Sequence, residues 1–322
     1  MNVSGAILLH LHPLFAHMST QPLVSILSVN FNQTQMTIEL IESLKKVTYP
    51  NIEIVIVDNG SERDNPDPIG QKFPYIKFLK TGKNLGFAGG NNFGLKHCTG
   101  EYIFFINNDV LVEPGFLEPL VDHFKTHPKC GMASPRIVYH KPEGLLQYAG
   151  TTPINPYTVR NKGIGYREPD TGQYRDVRPT AYIHGAAMMV PRKVIDEVGE
   201  MYEDYFLYYE EVDWNERIRK AGYEIWYVGT SQIIHRESVS VGGMSPLKVY
   251  YLNRNRLLFA RRNFNGTKLL SAWVFYTLVS LPVNSLRFIA KGEFKLLEAL
   301  WKAYVWNVTH SPKVRPLEVV KL

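Results

Sequence analysis

From residue 23 onward the chain alternates between two hydrophobic periods. LVSILSVNF (23–31) is an almost unbroken apolar run, the pattern of a buried, parallel strand. TQMTIELIESLKKV (34–47) switches to helical spacing, with Met36, Leu40, Ile41 and Leu44 on one face and Thr34 placed to cap it. IEIVIVDNGS (52–61) predicts a second strand ending in a polar turn, and IKFLKTG (76–82) a short third. NLGFAGGNNFGLKHC (84–98) predicts a glycine-rich loop entering a helix, and EYIFFINNDVLV (101–112) a fourth strand. Residues 140–180, rich in Gly, Pro, Tyr and Arg, predict irregular structure. AYIHGAAMMVPRKVIDEVG (181–199) returns to strand and then helix. YFLYYEEVDWNERIRKAGYEIWYVG (205–229) reads as an aromatic approach, a helix starting near Glu211 and ended by Gly222, and another strand; QIIHRES (232–238) follows. This alternation predicts an α/β fold with a mostly parallel central sheet.

In such sheets ligands bind at the carboxyl ends of the strands. Asn30 with Asn32, Asp58 with Asn59, and Asn108 with Asp109 all end strands, so they converge on one rim. Each has two readings. Asp109 caps a turn or binds a divalent cation, which prefers hard oxygen ligands; Asn107 and Asn108 beside it exceed what one turn needs. Asp58 makes an Asx-turn or accepts a hydrogen bond from a base or ribose. Gly86, Gly89 and Gly90 let backbone approach a ligand, yet their spacing matches neither a dinucleotide fingerprint nor a P-loop. Glu210, Glu211 and Asp213 are ordinary helix-start acids or include a general base whose pKa the aromatic approach raises. His235 is a metal ligand, a core histidine or a surface residue.

Composition narrows the class. Apolar residues are 45% and charged residues 20% of 322, as in a globular protein. The two cysteines, Cys98 and Cys130, form no framework and read as free thiols in a reducing compartment. Net charge is +6, unevenly spread. Residues 245–322 hold 13 basic and 3 acidic residues, net +10, leaving 23 and 27, net −4, for the rest. A basic tail on an acidic body points to a polyanion, nucleic acid or an anionic membrane surface.

The ordered set SVNFN, IVIVDNGS, NLGFAGGNN, FINND, HGAAMMVPR, YYEEVD with RIRKAGY, and IIHRES resembles family 2 glycosyltransferases, in the rhamnosyltransferase-like branch. The resemblance covers about residues 23–262, and YYLNRNRLLFARRNF (250–264) resembles the segment that closes the domain in that branch. It implies a GT-A fold with a nucleotide-binding half (23–112) and an acceptor half (113–262), preceded by a leader (1–22) and followed by a helical tail (263–322). It implies an inverting transfer from a nucleoside-diphosphate sugar, deoxythymidine diphosphate rhamnose first and a uridine diphosphate sugar next. The acceptor would be a glycan or lipid-linked hydroxyl, in cell-surface polysaccharide or glycoconjugate synthesis. By position, Asn30, Asp58, Gly89, Gly90, Asn91, Asn92 and Asn108 would contact the nucleotide. Asp109 and His235 would hold Mg²⁺ or Mn²⁺, with Asn-Asn-Asp replacing the usual two-acid motif. His184, Gly185 and Glu210 would lie near the transferred sugar or acceptor. Glu211 would be the catalytic base, where the family often has Asp.

The tail adds one expectation. Residues 269–286 carry no charge over 18 positions, near the roughly 20 apolar residues a spanning helix needs. Basic and aromatic residues flank that run, which favours contact with a membrane surface over nucleic acid and places the enzyme at the cytoplasmic face of the membrane. A nucleotidyltransferase would want basic residues in the first loop, and SVNFNQTQM has none. A nucleotide-sugar-binding protein without activity is disfavoured by the joint presence of Asp58, Asp109, Glu211 and His235.

Overall fold

The computed structural model describes residues 21–236 and 244–314, so nearly all of the expected leader and the end of QIIHRES lie outside the described residues. Strands β1 (Val24–Asn30), β2 (Ile52–Asp58), β3 (Lys77–Lys80) and β4 (Tyr102–Ile106) form a parallel block in the order β3-β2-β1-β4. The chain winds one way from β1 to β3 and then returns to the other side of β1. That reversal opens a crevice at the carboxyl ends of β1 and β4. β9 (Ala187–Pro191) joins β4 antiparallel, and beyond it come β6 (Cys130–Tyr139), β10 (Glu224–His235) and β5 (Val110–Val112). β7 (Leu146–Tyr148) pairs with β6, and β8 (Val177–Pro179) with β10. The parallel character is thus that of the first block and the β6/β10 pair; the remaining pairings are antiparallel.

EYIFFINNDVLV, expected as one strand, is two. β4 lies beside β1, whereas β5 lies at the far edge beside β10. Asn107, Asn108 and Asp109 occupy the break, where their polar side chains leave the ladder of a buried sheet. Asn107 N–H and Asp109 carbonyl still find backbone partners, in Ala186 and Arg236.

Helices α1 (Thr34–Leu44), α2 (Asp67–Lys72) and α4 (Leu117–Thr126) cover one face, burying Leu40, Ile41, Ile69 and Leu120. Helices α3 (Gly86–Leu95), α5 (Arg192–Val198) and α6 (Glu210–Lys220) cover the other, burying Leu95, Val194, Trp214 and Ile218. Each such side chain contributes about 1.5–3 kcal/mol. Thr34 is the first helical residue rather than the cap: Asp64 Oδ2 accepts its N–H at 2.5 Å. The predicted glycine-rich loop is helix from Gly86 on. Its glycines serve packing, since a Cβ on Gly94 would lie 2.4 Å from Leu27 Cδ1 and one on Gly90 3.0 Å from Val29 Cγ1. Cys98 and Cys130 are free and buried.

The tail is helical, in α8 (Gly266–Ala290) and α9 (Phe294–Thr309), which pack with α7 (Pro246–Asn263) around a separate apolar cluster. Phe206 belongs to that cluster, with Leu207 and Tyr208 against it.

Candidate active site

The register of β1 and β2 sets Asn30 opposite Asp58 at their carboxyl ends. Asn30 Nδ2 donates to Asp58 Oδ1 at 2.9 Å. Ser61 Oγ and N–H donate to the same carboxylate at 2.6 and 3.2 Å, which is the Asx-turn. Asn30 Oδ1 accepts from Thr37 Oγ1 at 2.8 Å, and Thr37 accepts from Asn108 Nδ2 at 3.0 Å. Asn30, Asp58, Thr37 and Asn108 are buried, so this network ties β1, β2, α1 and the end of β4 into one floor.

Asp109 and His235 are 126 positions apart, but the antiparallel β5/β10 register sets His235 opposite Val110. His235 Nε2 lies 3.0 Å from Asp109 Oδ1. On its other side Nδ1 lies 2.7 Å from Gln147 Oε1. The ring is thus held between the Gln147 amide and the Asp109 carboxylate. An imidazole fixed by an amide on one side and turned to a carboxylate on the other is a pair that a divalent cation could bridge. One carboxylate oxygen and one imidazole nitrogen suit Mn²⁺ or Mg²⁺ whose other ligands come from elsewhere. Among the described residues no group of three or more His, Cys, Asp or Glu side chains could hold a metal ion. The two residues fit a cation only as a partial set.

Helix α6 begins at Glu210, and its first turn carries the paired carboxylates. Burial, and then the charge of Glu211, pushes the Glu210 carboxyl well above the usual carboxylate range, and Glu210 Oε2 is buried without a hydrogen-bond partner. Burial also raises Glu211, opposed by the backbone amides of Glu211, Val212 and Tyr209. Both carboxyls are thus raised by burial, Glu210 further than Glu211 because the Glu211 charge adds to it. The third acid, Asp213, is engaged otherwise: Arg217 Nε, Tyr205 OH and Asn263 Nδ2 each donate to it at 3.0 Å. Its helix-start reading holds. Gly185 lies against Glu211, where a Cβ would be 3.7 Å from the carboxyl carbon. His184 stands edge-on to His235, with ring centroids 5.9 Å apart, and burial lowers its pKa to about 3, so it is neutral.

Two adjoining cavities meet at Asp109. The first, about 460 Å³, is lined by Asn91, Asn108 and Asp109 of the expected set, together with Phe31, Asn59, Asn84 and Phe87. The second, about 300 Å³, is lined by Asp109, His184, Gly185, Glu210, Glu211 and His235. Leu207 and Tyr208 wall both. Asn30, Asp58, Gly89, Gly90 and Asn92 line neither. Asn30 and Asp58 belong to the floor, the two glycines to helix packing, and Asn92 Nδ2 donates to Met201 O and Glu203 Oε1. Asn59, placed with Asp58 on the strand-end rim by the sequence, does line the first cavity. Gln147 gave no signal, because it falls in the stretch read as irregular.

The model of the family described as "Glycosyl transferase family 2" matches residues 25–199, more than half of the chain. The chain belongs to glycosyl transferase family 2. It is 27% identical over 228 residues to an N-acetylglucosaminyl-diphospho-decaprenol L-rhamnosyltransferase of Mycobacterium tuberculosis, covering 62% of this chain and 71% of that one. It is 26% identical over 249 residues to a low-salt glycan biosynthesis hexosyltransferase of Haloferax volcanii, covering 75% and 76%. Its fold is similar to that of a mannosyltransferase from Pyrobaculum calidifontis solved with GDP-Man and Mn²⁺, with a TM-score of 0.54, 15% identity, and 90% and 88% of the two chains covered. The transferase is therefore a glycosyltransferase of the GT-A fold, with a C-terminal helical region.

Proposed function

We propose that this transferase moves a sugar, with inversion, from a nucleoside-diphosphate donor to an acceptor hydroxyl, with the diphosphate at Asp109 and the reacting hydroxyl at Glu211. The observation that carries the reading is the position of Asp109 at the junction of two cavities, with His235 beside it and Glu211 in the second cavity. The nucleotide occupies the first cavity, bounded by Asn91, Asn108 and Asn59. Asn30, Asp58, Gly89, Gly90 and Asn92 serve it by shaping the floor and the helix behind it. Asp109 and His235 hold Mg²⁺ or Mn²⁺ at the diphosphate. When bound, that cation neutralises the charge that develops on the leaving group. In the second cavity His184 and Gly185 bound the sugar, and Glu211 removes the proton from the attacking hydroxyl. Glu210 offers its carboxyl to a sugar or acceptor oxygen. On this reading the nucleotide half is 23–112 and the acceptor half 113–262.

The mycobacterial relative's printed name supports rhamnose as the sugar and a lipid-linked acceptor; a deoxythymidine- or uridine-diphosphate donor is part of the proposal. Titrating a panel of nucleoside diphosphates and their sugars by calorimetry tests this. Binding that strengthens with Mn²⁺ and weakens in EDTA is expected; no binding by any member under either condition sinks the reading.

α8 supports a place at the membrane surface, on the cytoplasmic face. It has 25 residues and the length and composition to cross a membrane, yet only 22% of its most apolar window is buried. Leu270, Leu278 and Leu286 are 64%, 69% and 67% exposed, and Lys268, Arg287 and Lys291 punctuate the helix and its end. Such a face lies in the headgroup boundary of an anionic bilayer and brings the enzyme to a lipid-linked acceptor. Flotation with anionic vesicles and not with zwitterionic ones is expected; equal recovery without lipid would remove the claim.

A further inference from the structure

Two carboxylates and a histidine need a rigid frame, and the frame here has an unusual feature. The segment that runs into Glu210 carries three aromatic residues in the left-handed region: Phe206 at φ 64°, Tyr208 at 67° and Tyr209 at 76°. Such residues cost about 1–3 kcal/mol each and persist only where the surroundings over-determine them. The same segment supplies Leu207 and Tyr208, which wall both cavities. Its Phe206 carbonyl accepts from Phe87 N–H at 2.7 Å, tying it to the start of α3.

What over-determines it is α7. Asn255, fully buried, donates its Nδ2 hydrogens to the carbonyls of Tyr205, Leu207 and Tyr208 at 2.9, 2.8 and 2.7 Å. Arg254 Nη2 donates to the carbonyls of Asp204 and Tyr205 at 2.5 and 2.8 Å, and its Nε donates to Asn255 Oδ1 at 2.7 Å. Arg256 Nε donates to Tyr209 OH at 3.2 Å. Three consecutive residues of NRNR (253–256) thus grip one turn. The Arg254 guanidinium is 2% exposed and lies over the rings of Tyr251 and Trp306. Removing a cation from water costs several kcal/mol, and helix packing alone needs none at this position. Asn307 of α9 in turn donates to the Arg254 carbonyl at 3.0 Å, so the helical tail braces the grip from behind.

We infer that Asn255 and Arg254 are positioning residues for sugar transfer, holding the 204–209 turn so that Tyr208 divides the two cavities and Glu211 faces the second. The inference rests on the transferase reading. Neither residue lines either cavity; both act through the turn. Asparagine is required because an amide donates to carbonyls, whereas an isosteric carboxylate would face three carbonyl oxygens with no hydrogen to give. The C-terminal helices are then part of the catalytic scaffold, beyond any role at a membrane.

The test compares Asn255→Asp and Asn255→Ala with Leu300→Ala, a cavity variant in the same helical cluster. Amide hydrogen exchange of residues 204–211 is measured in full-length protein, together with kcat and KM for whichever donor turns over. Both Asn255 variants should speed exchange across 204–211 and lower kcat by about a hundredfold, the cost of a misplacement near 1 Å, with KM for the donor little changed. Leu300→Ala, at a comparable drop in Tm, should leave both nearly as in the wild type. Unchanged exchange in 204–211, or a kcat loss that merely follows Tm across all three variants, would overturn the inference. If the wild type turns over no donor, the transferase reading fails by itself, while the exchange measurement, which needs no substrate, still decides whether Asn255 orders the turn.

Discussion

Glu211→Gln should lower kcat by about a hundred- to ten-thousandfold, the usual contribution of a positioned general base, and leave nucleotide binding intact. The reason is spatial separation. Glu211 lines the second cavity and not the first, so removing its charge touches the hydroxyl's proton and spares the donor's nucleotide. The pH profile should carry the same signature. A base works ionised, and Glu211 is raised by burial, so kcat should fall on the acid side with a midpoint above the ordinary glutamate value. Glu210→Gln leaves the base in place and removes only the neighbouring carboxyl, so it should cost far less. Steady-state kinetics of the two variants across pH separates these outcomes. Equal losses in both variants, or a Glu211→Gln enzyme near wild-type turnover, would contradict the assignment of the base.

Asp109→Ala should produce the second large effect. Metal assistance to a leaving diphosphate is worth several kcal/mol, so kcat should fall by about a hundredfold or more, and added Mn²⁺ should no longer help. EDTA should bring the wild type down to the same level and do little further to the variant. His235→Ala should act in the same direction. Gln147→Ala should cost roughly tenfold in metal affinity, because its amide holds the His235 ring in place. Calorimetry of Mn²⁺ with nucleoside diphosphate present distinguishes these cases. A variant lacking Asp109 that still responded to Mn²⁺ would remove the cation from this position.

How much of this was legible in the sequence follows from the range of the interactions. β1, β2 and α1 appear as periodicities because each is decided by local burial. Glu211 and Asp109 were visible because a polar residue at the edge of an apolar run stands out. The break inside EYIFFINNDVLV was misread as an interruption of one strand. Only the pairing of β5 with β10, more than a hundred residues away, makes Val110–Val112 a separate strand. Gly89 and Gly90 were read as ligand-facing because a glycine cluster looks the same whether its missing Cβ admits a phosphate or the neighbouring strand. Here Gly90 admits Val29 and Asn59, and Gly89 admits Leu85 and Glu203. Thr34 failed as a cap because a distant Asp64 took its N–H. Gln147 and the Asn255 grip were invisible for the same reason: both act only through partners remote in the chain.

The most direct test of the central claim is release of nucleoside diphosphate. Purified enzyme, Mn²⁺, a panel of deoxythymidine- and uridine-diphosphate sugars and a lipid-linked acceptor are incubated with wild-type and Glu211→Gln protein in parallel. The account predicts acceptor-dependent release by the wild type with at least one donor, abolished by EDTA and nearly absent in the variant. Release by neither protein with any donor, or equal release by both, would contradict it.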